Sequence, residues 1–193
     1  KGTYNLLPHR FALAMMNEGW SLNDEIVWAK NNGHFTQAKR SVRSHEYIFH
    51  FVKSQDFYYN VSWLEELSDE RNKISLGTNA VNINLRSWMD CRDSLLKVNA
   101  NNMDDLRKAC KDAGLNLTHS AGYPLIIPLI PILLTSKIGD TILDIYNGTA
   151  TSGLAAIENH RRYVGYEIKA EYIKFSEVRL RDHLDSSTEK QAA

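Results

Sequence analysis

Asp144, Gly148, Gly153 and Glu167 are spaced like the contacts that hold a nucleotide-like ligand in an α/β protein. Asp144 stands near the carboxyl end of the β-rich run TILDIY, and the two glycines bracket the turn NGTATSG that opens into a helix. The N–H groups and dipole of such a helix start favour the anionic part of a ligand, a carboxylate or a phosphate. Glu167 ends the following strand, YVGYEI, a little over twenty residues after Asp144. An acid there can accept hydrogen bonds from both ribose hydroxyls of an adenosine-containing cofactor. The loop reads G-T-A where a tight cradle prefers G-x-G, so Ala150 replaces the second glycine. Its β-carbon either narrows the ligand's approach to the backbone or is penalised by a positive φ. A glycine loop alone is equally an ordinary strand-to-helix turn. The order strand, loop, helix, strand, acid favours a ligand site.

A second constellation lies in NNGHFTQAKRSVRSH. Between residues 28 and 45 it carries Lys30, Lys39, Arg40, Arg43, His34 and His45 and no acid. Such a segment is either a solvated surface loop or a surface that neutralises phosphates. HEYIFH, residues 45 to 50, misses the zinc pattern H-E-x-x-H by one residue. In a strand His45 and His50 point to opposite faces, so no metal is expected and His50 reads as a core histidine. Trp20, Trp28, Trp63 and Trp88 read as core or interface residues, and Tyr58-Tyr59 as the exposed aromatic pair. Cys91 and Cys110 stand far apart without ligand-spaced partners, which predicts reduced thiols of an intracellular protein.

The elements that must position these groups are legible at both ends of the chain. A helix begins near Pro8 and closes at Gly19, with Leu6, Leu7, Phe11, Ala14 and Met15 able to line one face. Strands follow at 21–30 and 46–53; in the second, Tyr47, Phe49 and Phe51 alternate with Ile48, His50 and Val52, which predicts cover on both faces. From 54 to 118 the pattern is less regular. Ser62 with Glu65 suggests a capping box for a helix over 63–73, and another helix ends at Gly114. YPLIIPLIPILL, with three prolines, is too short to cross a bilayer and belongs to a core. A strand at 141–146, a helix at 151–159, a strand at 163–168 and a helix at 170–184 imply right-handed crossovers and a parallel sheet.

With 193 residues, 43% of them hydrophobic, the chain can build one substantial core or one core with a small module. A formal net charge of zero excludes a global field that draws nucleic acid or membrane, so such a partner is met through a local patch. No signal peptide is evident, and SSTEKQAA reads as a frayed tail.

The run from HSAGYP through DIYNGTATSG to YVGYEIKAEYIKFSEVRL resembles the C-terminal half of the amino-group DNA methyltransferases in their permuted "beta" arrangement. GWSLNDEIVWAK and RSHEYIFHFVKS are similar to the late strands of the same domain. The resemblance covers about residues 4–60 and 119–181 and implies an α/β, Rossmann-like sheet that binds S-adenosylmethionine. It places His119, Ser120, Ala121, Tyr123 and Pro124 near the methionine and adenine moieties. Asp144, Tyr146, Asn147, Gly148, Thr149 and Thr151 would surround the methionine end, and Glu167 would take the ribose. It also turns the basic hairpin towards double-stranded DNA, which makes Lys30, His34, Lys39, Arg40 and Arg43 contact candidates. Ile145, where the family has proline, and Ala150 depart from its loop pattern. The catalytic tetrapeptide, Asp or Ser followed by Pro-Pro and an aromatic, is absent, so no catalytic residue is assigned. The chain was cut downstream of that motif, another polypeptide supplies it, or catalysis has been lost; the first two are preferred.

The expectation is therefore a methyltransferase that flips a base from the duplex and methylates its exocyclic amine, adenine N6 being placed slightly ahead of cytosine N4. Residues 1–53 would form late strands and the basic hairpin, 54–118 an insertion and possible target-recognition region, 119–185 the cofactor half and 186–193 the tail. A half-sheet exposes apolar surface, which predicts a partner chain or a second copy. A cytoplasmic, nucleoid-associated setting in a prokaryote or phage fits this reading. The alternative is a non-catalytic, methyltransferase-like subunit that binds DNA or a partner. A dinucleotide-binding oxidoreductase ranks third, because a full G-x-G-x-x-G is lacking.

Overall fold

The computed structural model describes residues 5–30, 44–60, 94–98, 111, 114 and 122–191, the side chains of 182–191 excepted. The chain divides into two compact units. The first contains the described residues up to Tyr58 and 94–98; the second contains Tyr59, Asn60, 111, 114 and 122–191.

In the first unit, helix α1 (Leu7–Asn17) takes Pro8 in its first turn, where the missing N–H has no intrahelical partner to lose. Strands β1 (Ser21–Ala29) and β2 (His45–Val52) pair antiparallel, with an irregularity between Leu22 and Asp24. Tyr47, Phe49 and Phe51 form a row along one face of β2, with ring centroids 5.9 and 6.1 Å apart. That row meets α1 in part along the expected face, where Phe11 lies edge-on to Phe51 at 6.5 Å. His9 sets its ring edge-on to Tyr47 at 4.7 Å and Ala12 is buried, whereas Leu7 and Phe11 remain 63% and 54% exposed. His9 and Ala12 are one turn apart, so the most buried stripe runs beside Phe11, which still reaches the sheet through Phe51.

On the other face of β2, His50 accepts a 3.1 Å hydrogen bond at Nδ1 from the Asn23 amide and lies edge-on to Phe57. Burial lowers its pKa, and nearby Asp24 opposes the shift. A third strand, β3 (Leu95–Lys97), runs parallel to β1 on the side away from β2, which the sequence pattern did not show. Trp28 locks this edge. It is 3% exposed, and its indole N–H donates to the Val98 carbonyl at 2.8 Å.

In the second unit, helix α2 (Ile126–Thr135) comes from the proline-bearing apolar run. Pro128 lies in the first turn, where its lost donor costs nothing, and only Pro131 is interior. Ile126, Leu129, Ile130, Ile132, Leu133 and Leu134 are all buried, as a helix apolar on every side requires. Strands β4 (Thr141–Asp144) and β5 (Arg162–Gly165) pair in parallel, residue 141 against 162 through 144 against 165. Helix α3 (Thr151–Glu158) makes the crossover, and α4 (Ala170–Gln191) follows β5. The expected order of the last third is thus present, with strands shorter and the last helix longer than the sequence indicated. Arg161 binds two helix ends, donating to the carbonyl of Ser136 after α2 and to that of Asn159 after α3, each at 2.6 Å. A cation suits those carbonyl-rich termini.

Candidate cofactor site

The path from β4 to α3 is stitched to the path leaving β5. Tyr166 N–H donates to the Asp144 carbonyl at 2.8 Å, and Asn147 N–H to the Tyr166 carbonyl at 2.9 Å. The Asp144 carboxylate accepts the N–H of Tyr146 at 2.9 Å, a side-chain-closed turn that swings the chain away from the strand. Gly148 and Ala150 then take left-handed conformations, with φ 51° and 59°. Ala150 N–H closes a turn on the Asn147 carbonyl at 2.8 Å, and the Ala150 carbonyl accepts the N–H of Leu154 at 2.9 Å as α3 starts. Of the two effects expected at Ala150, the structure displays the second. Its methyl is fully buried and its φ is positive, which an L-residue adopts at a penalty of about 1–2 kcal/mol.

Glu167 closes the site. One carboxylate oxygen accepts Gly148 N–H at 2.9 Å, and the other accepts Ile168 and Lys169 N–H at 2.9 and 3.0 Å. The Lys169 amide bond leads in holding its pKa below the usual carboxylate range. The Gly148 and Ile168 bonds and the Lys169 charge add to it, and partial burial opposes them. A carboxylate offers about four lone-pair sites, so acceptor capacity remains beyond these three bonds. Beside it, Tyr146 and Ile168 are 85% and 97% exposed, leaving apolar surface on both flanks.

Beneath the loop lies a buried polar layer. The Tyr163 hydroxyl donates to Asn147 Oδ1 at 2.7 Å, and Asn147 is only 7% exposed. The ring of Tyr163 occupies space left by two glycines. A β-carbon on Gly153 would stand 2.6 Å from its Cε1, and one on Gly165 would stand 2.5 Å from Asn147 Oδ1. Tyr123 and Ser152 share a hydrogen bond of 2.8 Å. Burial raises both phenol pKa values, and the charge of Asp144 raises each further.

Asp144, Gly148 and Glu167 thus come together as the spacing implied, and Asn147, which the resemblance added, lies with them. Tyr123 joins through Ser152, and Pro124 is buried ahead of α2. Thr149 and Thr151, 3% and 9% exposed, serve as loop interior rather than loop surface. His119, Ser120 and Ala121, and the DNA candidates His34, Lys39, Arg40 and Arg43, lie outside the described residues. Lys30 is ion-paired with Glu46 and sits 4.4 Å from the Trp28 ring centre. Sequence reasoning passed over Tyr163, Ser152, Ile168 and Arg179. Arg179 had a signal: it continues the stripe of Tyr172, Phe175 and Ser176 on α4, where an apolar residue would be ordinary.

Among the described residues, no group of three or more His, Cys, Asp or Glu is placed to hold a metal ion, and no helix is long and apolar enough to cross a membrane. The chain is 30% identical over 178 residues to the type II methyltransferase M.Cfr9I of Citrobacter freundii, covering 90% of this chain and 49% of that protein. It spans about half the length of the curated relatives it matches. The solved PvuII DNA methyltransferase (cytosine-N4-specific) superposes with a TM-score of 0.67 at 18% identity, covering 91% of this chain and 57% of that one. The M1.HpyAVI–SAM complex gives a TM-score of 0.58 at 19% identity, with coverage of 93% and 71%. These likenesses establish the α/β fold of the S-adenosylmethionine-dependent DNA methyltransferases. With residues 1–178 matching its pattern, the chain belongs to the N6_N4_Mtase family of DNA methylases.

Proposed function

We propose that this chain carries the S-adenosylmethionine site of a DNA methyltransferase that modifies an exocyclic amine, adenine N6 first and cytosine N4 as the alternative. The observation that carries the reading is the Glu167 carboxylate drawn to the Gly148 N–H in the loop that leads into α3. Acid, loop amides and exposed apolar flanks meet in one place. That donor set fits the cofactor: Glu167 for the ribose hydroxyls, Ile168 for an apolar ring, and the 146–149 loop with Asp144 for the amino-acid end. When bound, the cofactor supplies an electrophilic methyl on a sulfonium. This chain's residues hold the ribose, keep the loop amides oriented, and exclude water through the Tyr163–Asn147 layer beneath.

His119, Ser120 and Ala121 complete the methionine and adenine contacts in this reading, and Lys30, His34, Lys39, Arg40 and Arg43 contact DNA phosphates. Segment 54–118 is assigned to target recognition. A partner chain or a second copy belongs to the reading too, because Leu143 on β4 and Val164 on β5 are 59% and 42% exposed. Sedimentation showing a folded monomer at all concentrations would count against that part. The activity is tested by incubating the intact protein with duplex DNA and methyl-labelled cofactor, then analysing nucleosides by mass spectrometry. N6-methyladenine is expected; N4-methylcytosine would reassign the base. Cofactor binding without any methylated amine would favour the non-catalytic subunit.

A further inference from the structure

We infer that Arg179 is a positioning residue for the cofactor loop, gripping the chain on both sides of Ala150 so that an alanine can occupy a left-handed position. Arg179 lies on α4, one residue beyond the stretch matched by the family pattern. One guanidinium nitrogen donates to the Thr149 carbonyl at 2.6 Å and reaches the Thr151 hydroxyl at 3.4 Å. These residues flank the only loop position between Asn147 and Thr151 where a side chain stands at positive φ.

The local arrangement shows why a grip is needed there. Glycine would enter φ 59° without penalty, but alanine favours return to the right-handed or extended regions. That return would rotate the Thr149–Ala150 peptide and the first turn of α3. It would also redirect the Gly148 N–H that Glu167 holds. A short charge-assisted bond to the preceding carbonyl opposes the rotation, and the contact with Thr151 opposes unwinding of the helix start. The site is inward on the helix stripe, where Tyr172, Phe175 and Ser176 are buried, so the long side chain is directed at the loop. Lysine offers a point charge in place of the planar fork and reproduces the grip in part.

The inference rests on the S-adenosylmethionine reading for its functional consequence, but its physical core is a coupling between two residues. A double-mutant cycle of Arg179→Met and Ala150→Gly tests it, read by calorimetric titration with S-adenosylmethionine and by urea midpoint. In the Ala150 parent, Arg179→Met is expected to weaken binding about tenfold and lower the midpoint; in the Ala150→Gly background the loss should be about twofold or less, with a smaller midpoint shift. Arg179→Lys, the milder variant should Arg179→Met not fold, is expected to lose about threefold in the parent and nothing measurable in the Ala150→Gly background. Equal losses in both backgrounds, or no loss in either, would overturn the inference. If the parent binds no S-adenosylmethionine, the proposed function fails, and the urea cycle alone decides the coupling: non-additive midpoints uphold it and additive ones refute it.

Discussion

Replacing Gly153 by alanine perturbs the site directly, because one methyl must displace a ring that is anchored through its hydroxyl. The new β-carbon would stand 2.6 Å from Tyr163 Cε1, where contact normally settles near 3.5–4.0 Å, an overlap of about 1 Å. Tyr163 cannot swing away freely. Its hydroxyl is bonded to Asn147 at 2.7 Å. Two relaxations compete. Keeping the hydrogen bond means overpacking, typically about 1–3 kcal/mol. Releasing the ring leaves buried Asn147 Oδ1 without its donor, at about 1–3 kcal/mol.

The smaller of the two sets the result, so Gly153→Ala should destabilise by about 1–3 kcal/mol. With a urea slope of about 2 kcal/mol/M, the unfolding midpoint should fall by about 0.5–1.5 M. Tyr163→Phe alone should cost about 1–2 kcal/mol, because it strands the same oxygen. The double variant should cost less than the sum by about 1 kcal/mol, since a ring without its hydroxyl anchor can move aside. A Gly153→Ala protein within about 0.5 kcal/mol of the parent, or strict additivity in the cycle, would refute this packing argument.

Glu167 has a depressed folded-state pKa, so its contribution is complete above the unfolded-state value and is lost as pH falls through the folded value. The protection of the Gly148 amide, measured against its intrinsic exchange rate at each pH, should therefore hold from neutrality into mild acid and fall below the usual carboxylate range; Glu167→Gln should abolish that dependence. His50 is also depressed, but as a base, so the folded state favours its neutral form. Stability should decline as pH falls from the ordinary histidine range towards the folded value, and a His50→Gln variant should show a flatter acid limb in urea melts. Lys30→Ala should change stability by under about 1 kcal/mol, because its pair with Glu46 lies at the surface. A larger loss in thermal melts would mean that the contact with Trp28 adds to the pair.

What could be read in the sequence followed local grammar. The loop NGTATSG announced a turn into a helix, and the strand–helix–strand–helix order of the last third was legible because each element repeats its own period. Ala150 shows how far such reading goes. The residue flagged a tension, but only the backbone revealed that it includes a positive φ. Helix α2 was hidden because three prolines and an unbroken apolar run carry no amphipathic signal, and one of those prolines falls harmlessly in the first turn. Strand β3 was hidden because three residues are too few for alternation, and its identity comes from pairing with β1. Arg179 and Tyr163 act on the loop from 28 to 30 and 16 positions away, a relation that only the fold creates.

The central claim is that the loop and Glu167 form a methyl-donor pocket, and calorimetric titration of the folded protein with S-adenosylmethionine, beside Glu167→Ala, tests it most directly. The account predicts saturable one-site binding that the substitution weakens by about tenfold or more, the loss of ribose contacts together with the bond that holds the Gly148 amide. No binding by a folded parent, or equal binding by parent and variant, would contradict it.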